Sequence, residues 1–185
     1  QLLMMLANFD LHEIKHNSTE YIHLLSEIEK RVYADRAMYL GDMDYYNVPI
    51  KQLMDFNYNQ KRAEEINYDY ATPSDSVGHG LFFDTESEET THFSILDKNG
   101  NAVSVTTTLN TSYGSKVFVD GRGFLLNNEM DDFSSKPGEP NTYGLLGSEA
   151  NSIEPGKRML SSMTPSIVEK NNKLFLVLGT PGGST

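Results

Sequence analysis

Glu88-Glu89-Thr90-Thr91-His92-Phe93-Ser94 is the stretch at which the chain changes character. Upstream, apolar residues recur at helical spacing and give way to a polar, acidic run. Downstream, short alternating stretches are separated by turns, paired glycines and clusters of Thr, Asn, Asp and Ser. A hydroxyl residue at such a junction becomes a chain terminus if the backbone is cut just before it. Its side chain is then a nucleophile, and its freed amine a base that needs no other residue.

Working outward on the C-terminal side, His92-Phe93-Ser94-Ile95-Leu96 leads into Asp97-Lys98-Asn99-Gly100, whose Asn-Gly is a hairpin signal, and residues 102–109 form the return strand. Val117-Phe118-Val119 and Gly123-Phe124-Leu125-Leu126 read as further short strands, and residues 136–144 as a loop punctuated by Pro and Gly. A second hairpin is expected from Ser166-Ile167-Val168 against residues 174–178, turning at Asn171-Asn172. On the N-terminal side, residues 1–10 read as a short apolar helix, and Asn17-Ser18-Thr19-Glu20 has the spacing of a capping box. The helix it opens carries Tyr21, Leu24, Leu25, Ile28 and Val32 on one face and ends at Gly41-Asp42. A third helix is expected with Pro49 in its first turn, running through Leu53 towards Ile66. Residues 71–89, rich in Pro, Ser, Gly and acid around Leu81-Phe82-Phe83, read as an exposed connector. Helices followed by strands predict an α+β architecture without internal repeats.

Composition narrows the function. At 185 residues and 38% apolar content the chain can bury one sizeable core or two small lobes. A net charge of -11 argues against nucleic acid and anionic membrane surfaces as partners. No apolar run approaches the length of a membrane span. The absence of Cys excludes disulfides, thiolate metal sites and Cys nucleophiles. Gln1 enters a helical pattern directly and residues 181–185 stop inside a turn-rich motif, so both ends read as cut from a longer protein.

Five motifs then stand in order: Thr90-Thr91-His92-Phe93-Ser94; Asn110-Thr111; residues 126–134 from Leu126 through Asn127-Asn128-Glu129 and Asp131-Asp132 to Ser134; Leu160-Ser161-Ser162-Met163-Thr164-Pro165; and Gly179-Thr180-Pro181-Gly182-Gly183-Ser184. Together they resemble the γ-glutamyltranspeptidases, which are N-terminal-nucleophile hydrolases with an αββα sandwich. The resemblance covers essentially the whole chain. It implies that residues 1–89 form the end of a large subunit and residues 90–185 the first part of a small subunit, incomplete at both ends. It implies self-cleavage between Glu89 and Thr90, with Thr90 as the nucleophile and Thr108 hydrogen-bonded to it. It makes the backbone N–H groups of Gly182 and Gly183 the oxyanion hole. Glu129 and Asp132 would hold the substrate's α-amine, and Asn110, Ser161 and Ser162 its α-carboxylate. The loop around Tyr143 is similar to the lid of members that use glutathione. The family also binds that carboxylate with an Arg from farther upstream in the large subunit. None of Arg31, Arg36, Arg62, Arg122 or Arg158 sits in a matching motif.

The expected partners are thus small γ-glutamyl compounds, water or amino-group acceptors, and the rest of the chain's own proenzyme, with no cofactor and no metal. By resemblance the protein is exported, to the periplasm, the exterior or the cell surface. A related amidase, either a poly-γ-glutamate depolymerase or an acylase, is the neighbouring alternative; an inert structural fragment is the alternative of a different class. Taken singly, the motifs have plainer readings: a Thr-Thr pair is a β-former, Asp131-Asp132 a turn or cation site, and Pro181-Gly182-Gly183 a turn. His92, one residue after a Thr on a strand, is expected to point its ring elsewhere and to be structural, not a general base. Tyr33, Tyr39, Tyr45 and Tyr46 read as amphipathic packing, not as a platform for bases.

Overall fold

Ser18 opens the longest helix by accepting the Tyr21 N–H on its side-chain oxygen at 3.2 Å. The cap is therefore one residue later than the expected box, because Asn17 takes a left-handed φ of 58° and turns the chain into the helix. This computed structural model describes residues 1–78, 90–139 and 147–181. The chain divides into two compact units, Gln1–Phe83 with Ser134–Leu160, and Asp84–Phe133 with Ser161–Thr185.

In the first unit, α1 (Leu2–Leu6), α2 (Thr19–Tyr39), α3 (Ile50–Leu53) and α4 (Phe56–Glu64) surround a core of Met5, Leu24, Ile28, Ala63 and Ile66. The expected apolar face of α2 is there, with Leu24 and Ile28 buried and Val32 packed beside them. The single third helix is not. It breaks at Met54, where Asp55 caps α4 by accepting the Tyr58 N–H at 2.9 Å. Asn59, fully buried, bridges the break by donating to the carbonyls of Leu53 and Asp55 at 2.9 and 2.8 Å. Pro49 precedes α3 as its cap.

The same long helix buries three charges, Glu27, Arg31 and Asp35, one turn apart. Glu27 receives Lys30 Nζ at 2.7 Å, Arg31 Nη1 at 2.9 Å and the Thr72 N–H at 3.0 Å. Lys30 also donates to the Thr72 carbonyl at 2.8 Å, and Arg31 Nη2 to the Glu65 carbonyl at 2.9 Å. Asp35 takes Arg62 Nη2 at 3.0 Å and the Tyr58 hydroxyl at 2.8 Å. Burial raises the Glu27 pKa, but the bonds from Lys30, Thr72 and Arg31 outweigh it and lower the value to about 2. The polar side of α2 thus ties down α4 and residues 65–72.

Residues 148–160 dock on the far end of this helix. Arg158 donates to Asp42 through Nε at 2.8 Å and through its backbone N–H at 2.9 Å, and Tyr45 donates to the Pro155 carbonyl at 3.1 Å. Gly41 lies so close to the Ala150 backbone that a Cβ would collide with it. The side-chain and backbone bonds from Arg158 hold the Asp42 carboxyl well below the usual carboxylate range. This contribution is complete above the unfolded pKa and is lost as pH falls through the lower folded value. Arg158→Leu is expected to speed proteolytic nicking within residues 148–160, read by limited proteolysis at neutral pH, with α2 itself protected. Equal nicking rates would contradict the docking role.

In the second unit, β1 (Thr90–Leu96) and β2 (Ala102–Thr108) form an antiparallel hairpin. Its tip is closed by Asp97 Oδ1, which accepts the N–H groups of Asn99 and Asn101, each at 2.8 Å, with Gly100 at a φ of 88°. β3 (Phe118–Val119) pairs with β4 (Phe124–Leu125). β5 (Ser166–Lys170) pairs with β6 (Lys173–Leu178) through Asn171 and Asn172, both left-handed as a type I′ turn requires. The end of β6 meets the first hairpin, where Ser104 donates to the Leu178 carbonyl at 3.0 Å. Helices in one unit and antiparallel pairs in the other make the α+β class that was expected. Of the expected connector, a 3₁₀ turn at Ser74–Ser76 is described, while residues 79–89 and the loop residues 140–146 lie outside the described residues.

Candidate active site

The register of the β1–β2 hairpin sets Thr90 directly opposite Thr108. Directly opposed residues in an antiparallel pair carry their Cβ atoms about 4.5–5.5 Å apart, close enough for two threonine hydroxyls to interact. Alternation puts His92 and Ser94 on the same face, opposite Thr106 and Ser104. Both nitrogens of His92 are engaged, Nδ1 with Thr106 Oγ1 at 2.7 Å and Nε2 with Ser94 Oγ at 3.0 Å. The ring also abuts Gly179, where a Cβ would collide with it. His92 is a spacer that holds the Gly179 turn against β1; it shares the face of Thr90, contrary to the expected direction of its ring, and both its nitrogens are taken by neighbouring hydroxyls. Gly179→Ala should therefore loosen that turn and expose the ring, seen as faster hydrogen exchange at Leu178 and Thr180. Unchanged exchange would contradict the wedge.

Thr108 Oγ1 accepts the Asn110 N–H at 3.0 Å, so the hydroxyl proton is directed elsewhere. Asn110 itself is left-handed, with a φ of 76°, and donates from Nδ2 to the Asn128 carbonyl at 3.2 Å. The next residues form a 3₁₀ turn, Glu129–Asp132. Burial raises the Glu129 pKa, and a hydrogen bond with Asp132 offsets part of that rise. Glu129 Oε2 is buried without a hydrogen-bond partner. An orphaned carboxylate oxygen beside a second acid is a ready acceptor for an ammonium group.

A continuous chain of bonds therefore joins Thr108, Asn110, Asn128 and the Glu129–Asp132 turn, with Thr90 across the hairpin. Ser161 and Ser162 lie in the extended segment that enters β5, inside the same unit. Ser161 Oγ accepts the Met163 N–H at 3.1 Å, and the Ser162 carbonyl accepts Thr164 Oγ1 at 3.3 Å. Glu89, Tyr143, Gly182 and Gly183 lie outside the described residues.

Reading the sequence missed a cavity of about 240 Å³ lined by Thr91, Thr107, Thr108, Leu109, Thr111 and Tyr113. It also passed over Asn128 as a mere neighbour of the acids; the Asn-Asn pair ahead of a turn was its only signal. Among the described residues no cluster of His, Asp and Glu is placed to hold a metal ion, and no helix is long and apolar enough to cross a membrane.

Comparison with known proteins gives the family of the chain. The sequence pattern of the gamma-glutamyltranspeptidase family matches residues 1–185. The chain is 58% identical over 175 residues to the glutathione hydrolase proenzyme of Pseudomonas aeruginosa, covering 95% of this chain and 31% of that protein. It is 48% identical over 184 residues to the proenzyme of the same name from Escherichia coli, covering 100% of this chain and 32% of that one. An acylase ACY 1 proenzyme from a Pseudomonas strain is 35% identical over 98% of this chain and 30% of its own length. Among solved structures, a mutant of Helicobacter pylori γ-glutamyltranspeptidase superposes with a TM-score of 0.48 at 69% identity, over 51% of this chain and 50% of that one. The Pseudomonas nitroreducens enzyme complexed with L-DON gives 0.49 at 70% identity, over 51% and 49%. The chain spans about a third of the length of the curated relatives it matches. On the sequence match along its whole length, the chain belongs to the γ-glutamyltranspeptidase family.

Proposed function

We propose that the protein containing this chain cleaves γ-glutamyl amide bonds of small, glutathione-like substrates, after cutting itself between Glu89 and Thr90. The observation that carries the reading is the pairing of Thr90 with Thr108 at the open end of a hairpin whose following residues, Asn110 and Thr111, are hydrogen-bonded to the residue that starts the turn of Glu129 and Asp132. Once the backbone is cut, the Thr90 amine titrates at about 7.7–8.0, so near neutral pH it can take the hydroxyl proton. Thr90 Oγ attacks the γ-carbonyl, and the N–H groups of Gly182 and Gly183 receive the developing oxyanion. Losing such donors typically costs on the order of a hundredfold or more in rate. The C–N bond breaks, the leaving amine takes the proton, and a γ-glutamyl ester remains on Thr90. Water or an acceptor amine then attacks that ester and restores the free hydroxyl.

Glu129 and Asp132 receive the substrate's ammonium, while Asn110, Ser161 and Ser162 receive its carboxylate, and Tyr143 is the further substrate-binding candidate by resemblance. The partners are γ-glutamyl donors, acceptor amines or water, and the rest of the proenzyme. On this reading residues 1–89 end the large subunit and residues 90–185 begin the small one. The 185-residue chain alone should turn over such substrates poorly, because no Arg in it occupies the family's carboxylate-binding motif.

Side-by-side assays of the full protein on a γ-glutamyl anilide, on poly-γ-glutamate and on a simple acyl amide test the substrate class. Preference for either of the last two would overturn it. The Glu129 environment adds a pH signature. Ammonium binding favours the ionised carboxylate, and the free site holds its proton to a higher pH than an ordinary Glu. KM should therefore rise on acidification at a pH above the usual carboxylate range, and Glu129→Gln should flatten that rise. A KM that is level through mildly acidic pH would count against the assignment.

A further inference from the structure

Asn128 has no place in the chemistry above, yet five bonds converge on it from two segments. Its N–H donates to the Leu109 carbonyl at 3.2 Å. Its carbonyl accepts Asn110 Nδ2 at 3.2 Å and, on the other side, the Asp131 N–H at 3.2 Å. Its side-chain Oδ1 accepts both the Thr111 N–H at 3.2 Å and the Thr111 hydroxyl at 3.1 Å. That hydroxyl has one proton, which it shares with the Gly114 carbonyl at 3.0 Å.

The arrangement holds a strained backbone. Asn110 sits in the left-handed region, which costs a non-glycine residue free energy unless its surroundings enforce it. Gly114 closes the same loop against the Leu126 carbonyl, so tightly that a Cβ there would collide. Between them, Asn128 is the residue whose backbone starts the acidic turn and whose side chain grips the loop after β2.

We infer that Asn128 is a positioning residue that fixes the distance between the two ends of the substrate's α-amino acid site. On one side it holds Asn110, assigned to the carboxylate; on the other it begins the turn of Glu129 and Asp132, assigned to the ammonium. This rests on the assignments under Proposed function. A γ-glutamyl group presents both charges on one carbon, so their receptors must keep one separation. Binding then suffers first when the clamp loosens, whereas the opposition of Thr90 to Thr108 is set by the hairpin register.

The test uses the full-length protein and a γ-glutamyl anilide, with wild type beside Asn128→Ala, Thr111→Val, Thr111→Ser and Asn128→Ala/Thr111→Val. Asn128→Ala loses two accepted hydrogen bonds and is expected to raise KM roughly tenfold. Its kcat and extent of self-cleavage should stay near wild type. Thr111→Val should raise KM severalfold and Thr111→Ser, which keeps the hydroxyl, should not. In the Asn128→Ala background Thr111→Val should add little, since the shared bond is already gone. Unchanged KM in Asn128→Ala, or a fall in kcat and self-cleavage at constant KM, would overturn the role. If Asn128→Ala fails to fold, the Thr111 pair decides, and equal KM for Val and Ser refutes the clamp. A wild type inactive on every γ-glutamyl anilide overturns the function itself. An active wild type with an indifferent Asn128→Ala overturns this inference alone.

Discussion

Thr90→Ala should give a single uncut chain and no turnover. Under denaturing conditions the wild type is expected to resolve into pieces 1–89 and 90–185, and the variant to keep one mass. The reason is that one side chain serves both events. On the proposed mechanism, its Oγ attacks the preceding carbonyl and displaces the Thr90 nitrogen to give an ester that water hydrolyses, and the same Oγ later carries the γ-glutamyl group. Removing a nucleophile of this kind lowers rates by many orders of magnitude, leaving what binding and the oxyanion hole supply. Thr90→Ser keeps an oxygen there and should still cut, more slowly. Cleavage before residue 90 in Thr90→Ala, or residual γ-glutamyl turnover, would remove Thr90 from both roles. An uncut wild-type chain of 185 residues beside a cut full-length protein would place part of the processing machinery elsewhere in that protein.

The second large effect belongs to stability. Glu27→Ala is expected to destabilise the helical unit by about 3–5 kcal/mol, the scale seen when one partner of a buried ion pair is removed. Arg31, itself buried, and Lys30 would lose their shared anion, and the Thr72 N–H its acceptor. Glu27→Gln keeps an acceptor for Thr72 and should cost less. Urea titration of the three proteins measures the difference, and a loss under about 1 kcal/mol for the Ala variant would show the cluster to be dispensable. The pH dependence has a definite sign. Because the folded pKa is lowered to about 2, the contribution of Glu27 is complete above its unfolded value of about 4.3–4.5 and fades as pH falls towards 2. Glu27→Gln should show a shallower loss of stability across that window.

Much of the second unit was legible because its turns are local chemistry. Asn99-Gly100 and Asn171-Asn172 announce their own backbone conformations, and both hairpins form where they stand. The helix break at Met54 was not legible. Residues 49–66 contain no glycine and only the initial proline, and the stop depends on Asp55 capping and buried Asn59 bridging. The charges of α2 were equally opaque. Glu27, Arg31 and Asp35 look like a solvated face until Thr72, Glu65 and Arg62 are seen to close over them. In the site, Thr90 and Thr108 could be named from the motifs, and their opposition follows from the hairpin. Asn128 could not, since its bonds reach back to residues 17 and 18 positions earlier.

The hairpin that carries Thr90 also bears on the order in which the protein is built. Thr90 and Thr108 meet through a local turn, and hairpins of this kind close in about 1–10 μs. The contact of Arg158 with Asp42 must instead join residues 116 positions apart, and pairings of such long range form later. The threonine pair is therefore assembled while the chain is still incomplete in its distant contacts. On the proposed chemistry, then, the threonine pair itself is not the step that delays self-cleavage.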